Sequence, residues 1–226
     1  MAHSPQATQA GLLLATAGVL LFAGIARAAG ETEVRDFTTY IDGKQAGDYQ
    51  MTIVSQQDGS VTMTGRASID IRVLVVGRYR YTYNGTETWK DGRLVSFQSS
   101  SNDNGKEFQV SAAADADGLH VTVNGRPHVA RAEAWLTTYW RLPDRKLRSQ
   151  PLALLEADTG QDLAGNLEYV GLEEVSVAGQ KVRCNHFRLT GGVHADLWYD
   201  GTERLVRQEW LEEGKRVLLQ LSALRR

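Results

Sequence analysis

Cysteine occurs only once, as Cys184, so the chain has no internal disulfide and must draw its stability from a packed core. A lone thiol among β-forming residues is expected to behave as a small buried hydrophobe. Neither sign of charge is in excess. The 25 Lys and Arg stand against 27 Asp and Glu, a net of −2, which leaves no general footprint for nucleic acid or for an anionic membrane surface. Long hydrophobic runs are missing too, with one exception near the start, so no stable membrane insertion through a helix of roughly 20 apolar residues is expected elsewhere. Familiar catalytic signatures are also absent: there is no G-x-S-x-G elbow, phosphate loop, H-E-x-x-H or dinucleotide fingerprint, and no cofactor is expected.

The exception is GLLLATAGVLLFAGIA, Gly11 to Ala26, which runs into the small-x-small pattern Ala26-Arg27-Ala28. Residues 1–28 read as a signal peptide and 29–226 as a single β-barrel-like domain with a periplasmic or secreted destination. The leading MAHSPQATQ carries no Lys or Arg, so a retained anchor is the alternative.

Beyond Thr32 the chain alternates β-type runs with Asp-Gly and Asn-Gly pairs: Asp42-Gly43, Asp58-Gly59, Asp91-Gly92, Asn104-Gly105, Asp117-Gly118, Asn124-Gly125 and Asp200-Gly201. Such pairs tolerate the positive φ of tight hairpins. Strands are expected near 33–41, 47–56, 60–75, 78–90, 93–102, 106–115, 118–124, 163–178, 181–190, 194–200, 204–212 and 215–223. About twelve antiparallel strands in one unit should curl into a barrel or bent half-barrel, which protects the edges. In the middle, RAEAWLTTYWRLP sets Trp135 against Tyr139 and Leu136 against Trp140 at i,i+4 spacing before Pro143. This predicts one short aromatic helix capping the barrel. The following Arg141, Arg145, Lys146 and Arg148 form a solvated loop or an anion contact.

In GRYRYTYNGTETWKDGR the even row from Arg80 to Lys90 is polar, whereas the odd row holds Tyr79, Tyr81, Tyr83, Glu87 and Trp89. Successive strand residues face opposite sides, so Glu87 is expected to point inward with its aromatic neighbours. A buried, unpaired carboxylate costs several kcal/mol or takes up a proton, so Glu87 needs a partner: a tyrosine hydroxyl, an arginine or another buried donor. It is either a structural clamp, a polar anchor or proton-transfer group in a ligand cavity, or a group turned outward by a bulge at Asn84-Gly85.

A second cluster lies in CNHFRLTGGVHADLWYDG, Cys184 to Gly201. A two-residue Gly191-Gly192 turn would oppose Phe187 to Asp196 and Leu189 to His194, which splits His186 from His194 across the sheet. No metal site is expected from that arrangement. The face with Cys184, Leu197 and Tyr199 is the more uniformly apolar, which would send His186 and Arg188 inward and make Arg188 a possible counter-ion for Glu87.

TTYIDGKQAGDY, YRYTYNGTETWKDGRL, SNDNGKEFQV and the FRLTG…DLWYDG pair, with E-x-W and W-Y-D-G the most distinctive elements, resemble a group of secreted proteobacterial β proteins catalogued only as domains of unknown function. The resemblance implies a bent antiparallel barrel, broadly similar to lipocalin-like folds and lipoprotein carriers, and supplies no catalytic residues. The expected role is to hold an apolar or amphipathic small molecule or lipid against Tyr79, Tyr81, Tyr83, Glu87, Trp89, Trp135, Tyr139, Trp140 and Arg188. One alternative is a cofactor-independent isomerase, lyase or hydrolase using Glu87 with His186 or Tyr83. The other is a scaffold with a filled core that binds an envelope protein partner.

Overall fold

The computed structural model describes residues 30–73 and 77–226; the expected signal segment lies outside them. The first eight strands are β1 (Thr32–Ile41), β2 (Lys44–Ser55), β3 (Val61–Val73), β4 (Gly77–Lys90), β5 (Arg93–Asp103), β6 (Lys106–Ala114), β7 (Leu119–Val123) and β8 (Arg126–Ala130). The remaining seven are β9 (Trp135–Leu136), β10 (Leu152–Leu155), β11 (Asp162–Val177), β12 (Gln180–Gly191), β13 (Ala195–Tyr199), β14 (Leu205–Glu212) and β15 (Lys215–Arg225). All lie in one sheet of order β8-β7-β6-β5-β4-β3-β2-β1-β15-β14-β13-β12-β11-β10-β9. Every pairing is antiparallel except that between β9 and β10. The sheet is thus mainly two meanders joined where β1 meets β15. It does not close into a barrel, because its terminal strands β8 and β9 are not paired with each other.

Local chemistry explains the meander. At Asp42-Gly43, Asp91-Gly92, Asn104-Gly105 and Asn124-Gly125 both residues have positive φ, the geometry of a two-residue turn whose twist matches the flanking strands. The strand count exceeds expectation by three because β8, β9 and β10 are short. Only tertiary pairing makes them strands.

The expected aromatic helix is absent among the described residues. Trp135 and Leu136 are instead extended and pair with Leu154 and Leu155. Tyr139 has φ of 49°, outside the right-handed helical region. Two carbonyls of this segment are taken by side chains of the sheet: Arg35 Nη1 donates to Trp140 O at 2.7 Å and Tyr199 Oη to Tyr139 O at 2.8 Å. The i,i+4 spacing still brings Trp135 and Tyr139 together, with ring centroids 4.9 Å apart, but as an irregular strap.

That strap, residues 131–161, leads from β8 at one edge of the sheet to β11, supplies β9 and β10 at the other edge on its way, and contacts the inner face. Thr138 bonds β4, while Ser99 and Ser101 of β5 donate to Ala157 O and Asp158 O at 2.6 and 2.8 Å. Trp135, Leu136, Tyr139, Trp140 and Leu142 are all buried there, in one cluster with Phe37, Met51, Met63, Phe97, Leu197 and Tyr199. The bend of the sheet is therefore packed with side chains rather than left hollow around the strap.

Candidate functional site

Alternation along β4 holds as expected: Tyr83, Glu87 and Trp89 are buried, whereas Arg80, Thr82, Asn84, Thr86 and Lys90 are exposed. Across the sheet, Glu87 is level with Met63 on β3 and Phe97 on β5, both almost fully buried. No bulge turns it outward. Its relative exposure is 1%, which makes its partners decisive.

Those partners are neutral donors. The Trp89 indole N–H donates to Oε2, and Thr138 Oγ1 donates to Oε1 at 2.7 Å. The E-x-W pair is therefore a self-contained contact, since residues two apart on a strand share a face. Burial pushes the Glu87 carboxyl up to about 7; the bonds from Thr138 and Trp89, the nearby Trp140 indole and the field of Arg141 pull in the opposite direction. Arg141 itself stacks over the Trp89 and Trp140 rings, at 5.2 and 5.5 Å to their centroids.

Two glycines make room beside this group. Gly65 and Gly85 face each other across β3 and β4. A Cβ on Gly85 would stand 2.1 Å from the Tyr83 hydroxyl, and one on Gly65 would stand 2.6 Å from that of Tyr49. Each tyrosine thus lies along its sheet face over a glycine, and the two rings meet edge to face at 6.3 Å. Nothing in the alternation pattern marks Tyr49 or Gly65 as part of this site. Gly85, two strand positions from both Tyr83 and Glu87, and Gly65 opposite it are the only signal the sequence carries.

Four buried polar atoms on the inner side lack a hydrogen-bond partner among the described residues: Tyr83 Oη, Tyr139 Oη, Trp140 Nε1, which lies close to Glu87, and, on β8 opposite Val121, His128 Nε2. Along the β4 row, Tyr79 and Tyr81 are only partly buried, and burial becomes complete from Tyr83 onward. The row is therefore half-open at one end and closed at Trp89. At the open end Tyr81 Oη donates to Asp158 Oδ2 at 3.3 Å, and burial together with the field of Glu156 raises Asp158 to about 6.

Other expected site residues lie elsewhere. The hairpin of β12 and β13 pairs Phe187 with Leu197 and Leu189 with Ala195, one residue away from the register of a two-residue turn. A one-residue slip exchanges faces. It gathers Phe187, Leu189, Ala195, Leu197 and Tyr199 on the inner side and sends His186, Arg188, Asp196 and Trp198 to the other. Burying the larger apolar set outweighs the shorter turn.

On that outer side His186 sits between Glu173 Oε1, 2.9 Å from Nδ1, and Asp196 Oδ1, 2.8 Å from Nε2, stacked on Trp198 at 4.2 Å. It cannot assist Glu87. Arg188 is 51% exposed in its side chain and pairs with Asp196, so it is not the counter-ion of Glu87. Cys184 is fully buried, and burial raises its thiol to about 11, as befits an inert hydrophobe. Arg148 bonds Glu203 through Nη1 and Nη2 at 3.1 and 2.8 Å, tying the basic loop to the sheet.

The W-Y-D-G motif is structural. Asp200 Oδ1 accepts from Thr202 N, Thr202 Oγ1 and Arg204 N, and its Oδ2 accepts from Arg204 Nη1. Arg204 reaches on to both oxygens of Glu33, which also receives Arg35 Nε at 2.7 Å. Although partial burial opposes it, hydrogen bonds from Arg204 and Arg35 hold Glu33 down to about 2.

A concavity of about 520 Å³ lies on the water-facing side of β3 to β7, lined by Thr64, Asn84, Thr86, Gln98, Ser100 and Ser111 among others. It is not the apolar interior expected from the sequence. Among the described residues no group of three or more His, Cys, Asp or Glu side chains is arranged to hold a metal ion. Chemically, the inner site offers one carboxyl near neutrality, hydroxyl and indole donors, and aromatic walls.

The fold is shared with a β-barrel-like protein of domain of unknown function DUF1849 from Brucella abortus, at a TM-score of 0.59 and 10% identity over 88% of this chain and 98% of that one. A candidate outer-membrane lipoprotein-sorting protein domain from Vibrio parahaemolyticus aligns at 10% identity over 86% of this chain and 84% of that one, at a TM-score of 0.16, too low to carry an argument. No curated protein matches the chain. A family model matches residues 37–222, well over half of the sequence, and the chain therefore belongs to the family described as a domain of unknown function, DUF6134.

Proposed function

We propose that this chain is a binding protein of the cell envelope that holds a small amphipathic ligand along the inner row of β4, its apolar part against the rings of Tyr79 and Tyr81 and its polar part toward Tyr83 and Glu87. One observation carries the reading: the buried Tyr83 hydroxyl, without a hydrogen-bond partner, lies within the field of the single buried Glu87 carboxyl in a row that opens to solvent at its other end. Buried polar groups in folded proteins are nearly always satisfied, so an orphaned hydroxyl beside a buried carboxyl favours an external partner. Apolar walls with a few convergent polar groups are the usual form of small-molecule sites. The export-type segment at residues 11–28 supports the envelope location. Among the described residues no helix is long and apolar enough to cross a membrane.

A second reading has its own support. The strap fills the bend of the sheet with Trp135, Leu136, Tyr139 and Trp140, which favours a filled scaffold presenting its outer surface to an envelope partner. Mass spectrometry of organic extracts separates the two. Protein purified from its native envelope fraction should release a stoichiometric amphipathic molecule, and Tyr83→Phe should release less of it. A clean extract from both proteins would overturn the binding reading and leave the scaffold.

A further inference from the structure

The two halves of the outer face use their polar groups differently. On β11 to β15 the outward charges pair with one another: Glu174 with Lys181, Asp196 with Arg188, and Glu209 with Arg207 and Arg216. The concavity of about 520 Å³ over β3 to β7 holds no such pair. Adjacent cross-strand rows line it, one running from Arg66 through Asn84 to Ser100 and the next from Gln98 through Ser111 to Thr122. Among the described residues none of these six side chains makes a hydrogen bond or an ion pair.

The composition of the lining is selective. A solvated surface ordinarily carries about a quarter to a third charged residues, with both signs interspersed. Here Arg66 is the only charged residue, no carboxylate lines the concavity, and no aromatic ring offers an apolar ligand a wall. Hydroxyl and amide side chains both donate and accept hydrogen bonds, as the hydroxyls of a sugar do. Neighbouring strands lie about 4.8 Å apart, close to the length of one sugar ring, so a linear glycan laid across them meets new partners at each residue. Arg66 adds an exposed guanidinium, whose fork of N–H donors matches a carboxylate and has none of its own.

We infer that this concavity binds a linear acidic oligosaccharide, its hydroxyls against the Asn, Gln, Ser and Thr side chains and a uronate carboxylate on Arg66. The site is separate from the inner row, because on β4 the exposed Asn84 faces it whereas the buried Tyr83 faces the core.

The test is calorimetric titration of the purified chain at neutral pH and low salt with three tetrameric probes: tetragalacturonate, cellotetraose and tetraglutamate. Only the first carries both hydroxyls and carboxylates, and it should bind at least ~10-fold more tightly than either of the others. Arg66→Gln should weaken tetragalacturonate ~10-fold, to the level of cellotetraose, with an unchanged thermal midpoint because Arg66 is exposed and unpaired. Tyr83→Phe, on the opposite face, should leave tetragalacturonate binding as it is. If tetragalacturonate fails to bind, or binds Arg66→Gln as tightly as wild type, the assignment is overturned. Equal binding of cellotetraose by the wild type would overturn the acidic class, and equal binding of tetraglutamate would make the surface one for acidic peptides and overturn the glycan.

Discussion

Glu33 on β1 and Glu87 on β4 both lie on inward rows, yet they titrate in opposite directions. Glu33 receives two guanidinium groups, from Arg35 and Arg204, and is held down to about 2. Glu87 receives an indole N–H and a hydroxyl, neither of which carries charge, and burial holds it up to about 7. The difference shows what each environment is suited to. An ion-pair network fixes a strand end in one arrangement, whereas a donor-only clamp leaves a carboxyl that changes protonation near neutrality without breaking its contacts.

The largest effect is expected from removing the ion-pair side. Arg204→Met leaves Asp200 without its guanidinium and Glu33 with one fewer, and breaking such a buried network costs about 3–4 kcal/mol. Urea denaturation at pH 7 should show the loss. A change of under ~1 kcal/mol would place the network among surface pairs of small value.

The contrast is also testable through pH. Glu87 has a folded value near 7 against an ordinary 4.5, so the folded chain binds the proton more tightly than the unfolded one. Its contribution is fully present below about pH 4.5 and is lost as pH rises through 7, a decline of about 3 kcal/mol. Glu33 has the opposite sign. Its contribution is present above about pH 4.5 and lost as pH falls toward 2. Glu87→Gln should remove the part of the decline that runs through pH 7, leaving that of Asp158 near pH 6, because Thr138 and Trp89 can hydrogen-bond an amide in the same place. Stability at pH 8 should then exceed wild type by up to about 3 kcal/mol, with little difference at pH 4.5. A wild-type curve with no slope between pH 5 and 8 would show that Glu87 is not shifted.

The smallest expected effect is on the outer face. Arg188→Ala removes an exposed partner of Asp196, which keeps His186, and should change the urea midpoint by less than about 0.5 kcal/mol. A larger loss would mean that the outer cluster around His186 depends on Arg188 more than its exposure implies.

Much of β4 is legible in its residues alone. Alternation of an aromatic-rich odd row and a polar even row from Tyr79 to Lys90 points Glu87 inward, since one face has to be buried, and the unbroken pairing of β3 with β4 excludes the bulge at Asn84-Gly85 that would have turned it outward. The β12–β13 hairpin is less legible. Gly191-Gly192 suggests a tight turn, but turn length competes with the burial of Phe187, Leu189, Leu197 and Tyr199, and a shift of one residue moves His186 and Arg188 to the opposite side. Trp135, Tyr139 and Trp140 show a different limit. Their i,i+4 spacing is equally compatible with a helix and with a strap whose carbonyls are satisfied by Arg35 and Tyr199, residues far away in the chain.

The meander, the positive-φ turns and the inward face of β4 follow from the order of residues, because each depends on neighbours a few positions away. So does the need of Glu87 for a partner. Which group meets that need is a matter of long-range packing, because Thr138 arrives from the strap, 51 residues along the chain. The open edges of the sheet and the tyrosines lying over Gly65 and Gly85 likewise depend on which distant strands meet, and local periodicity does not encode that choice.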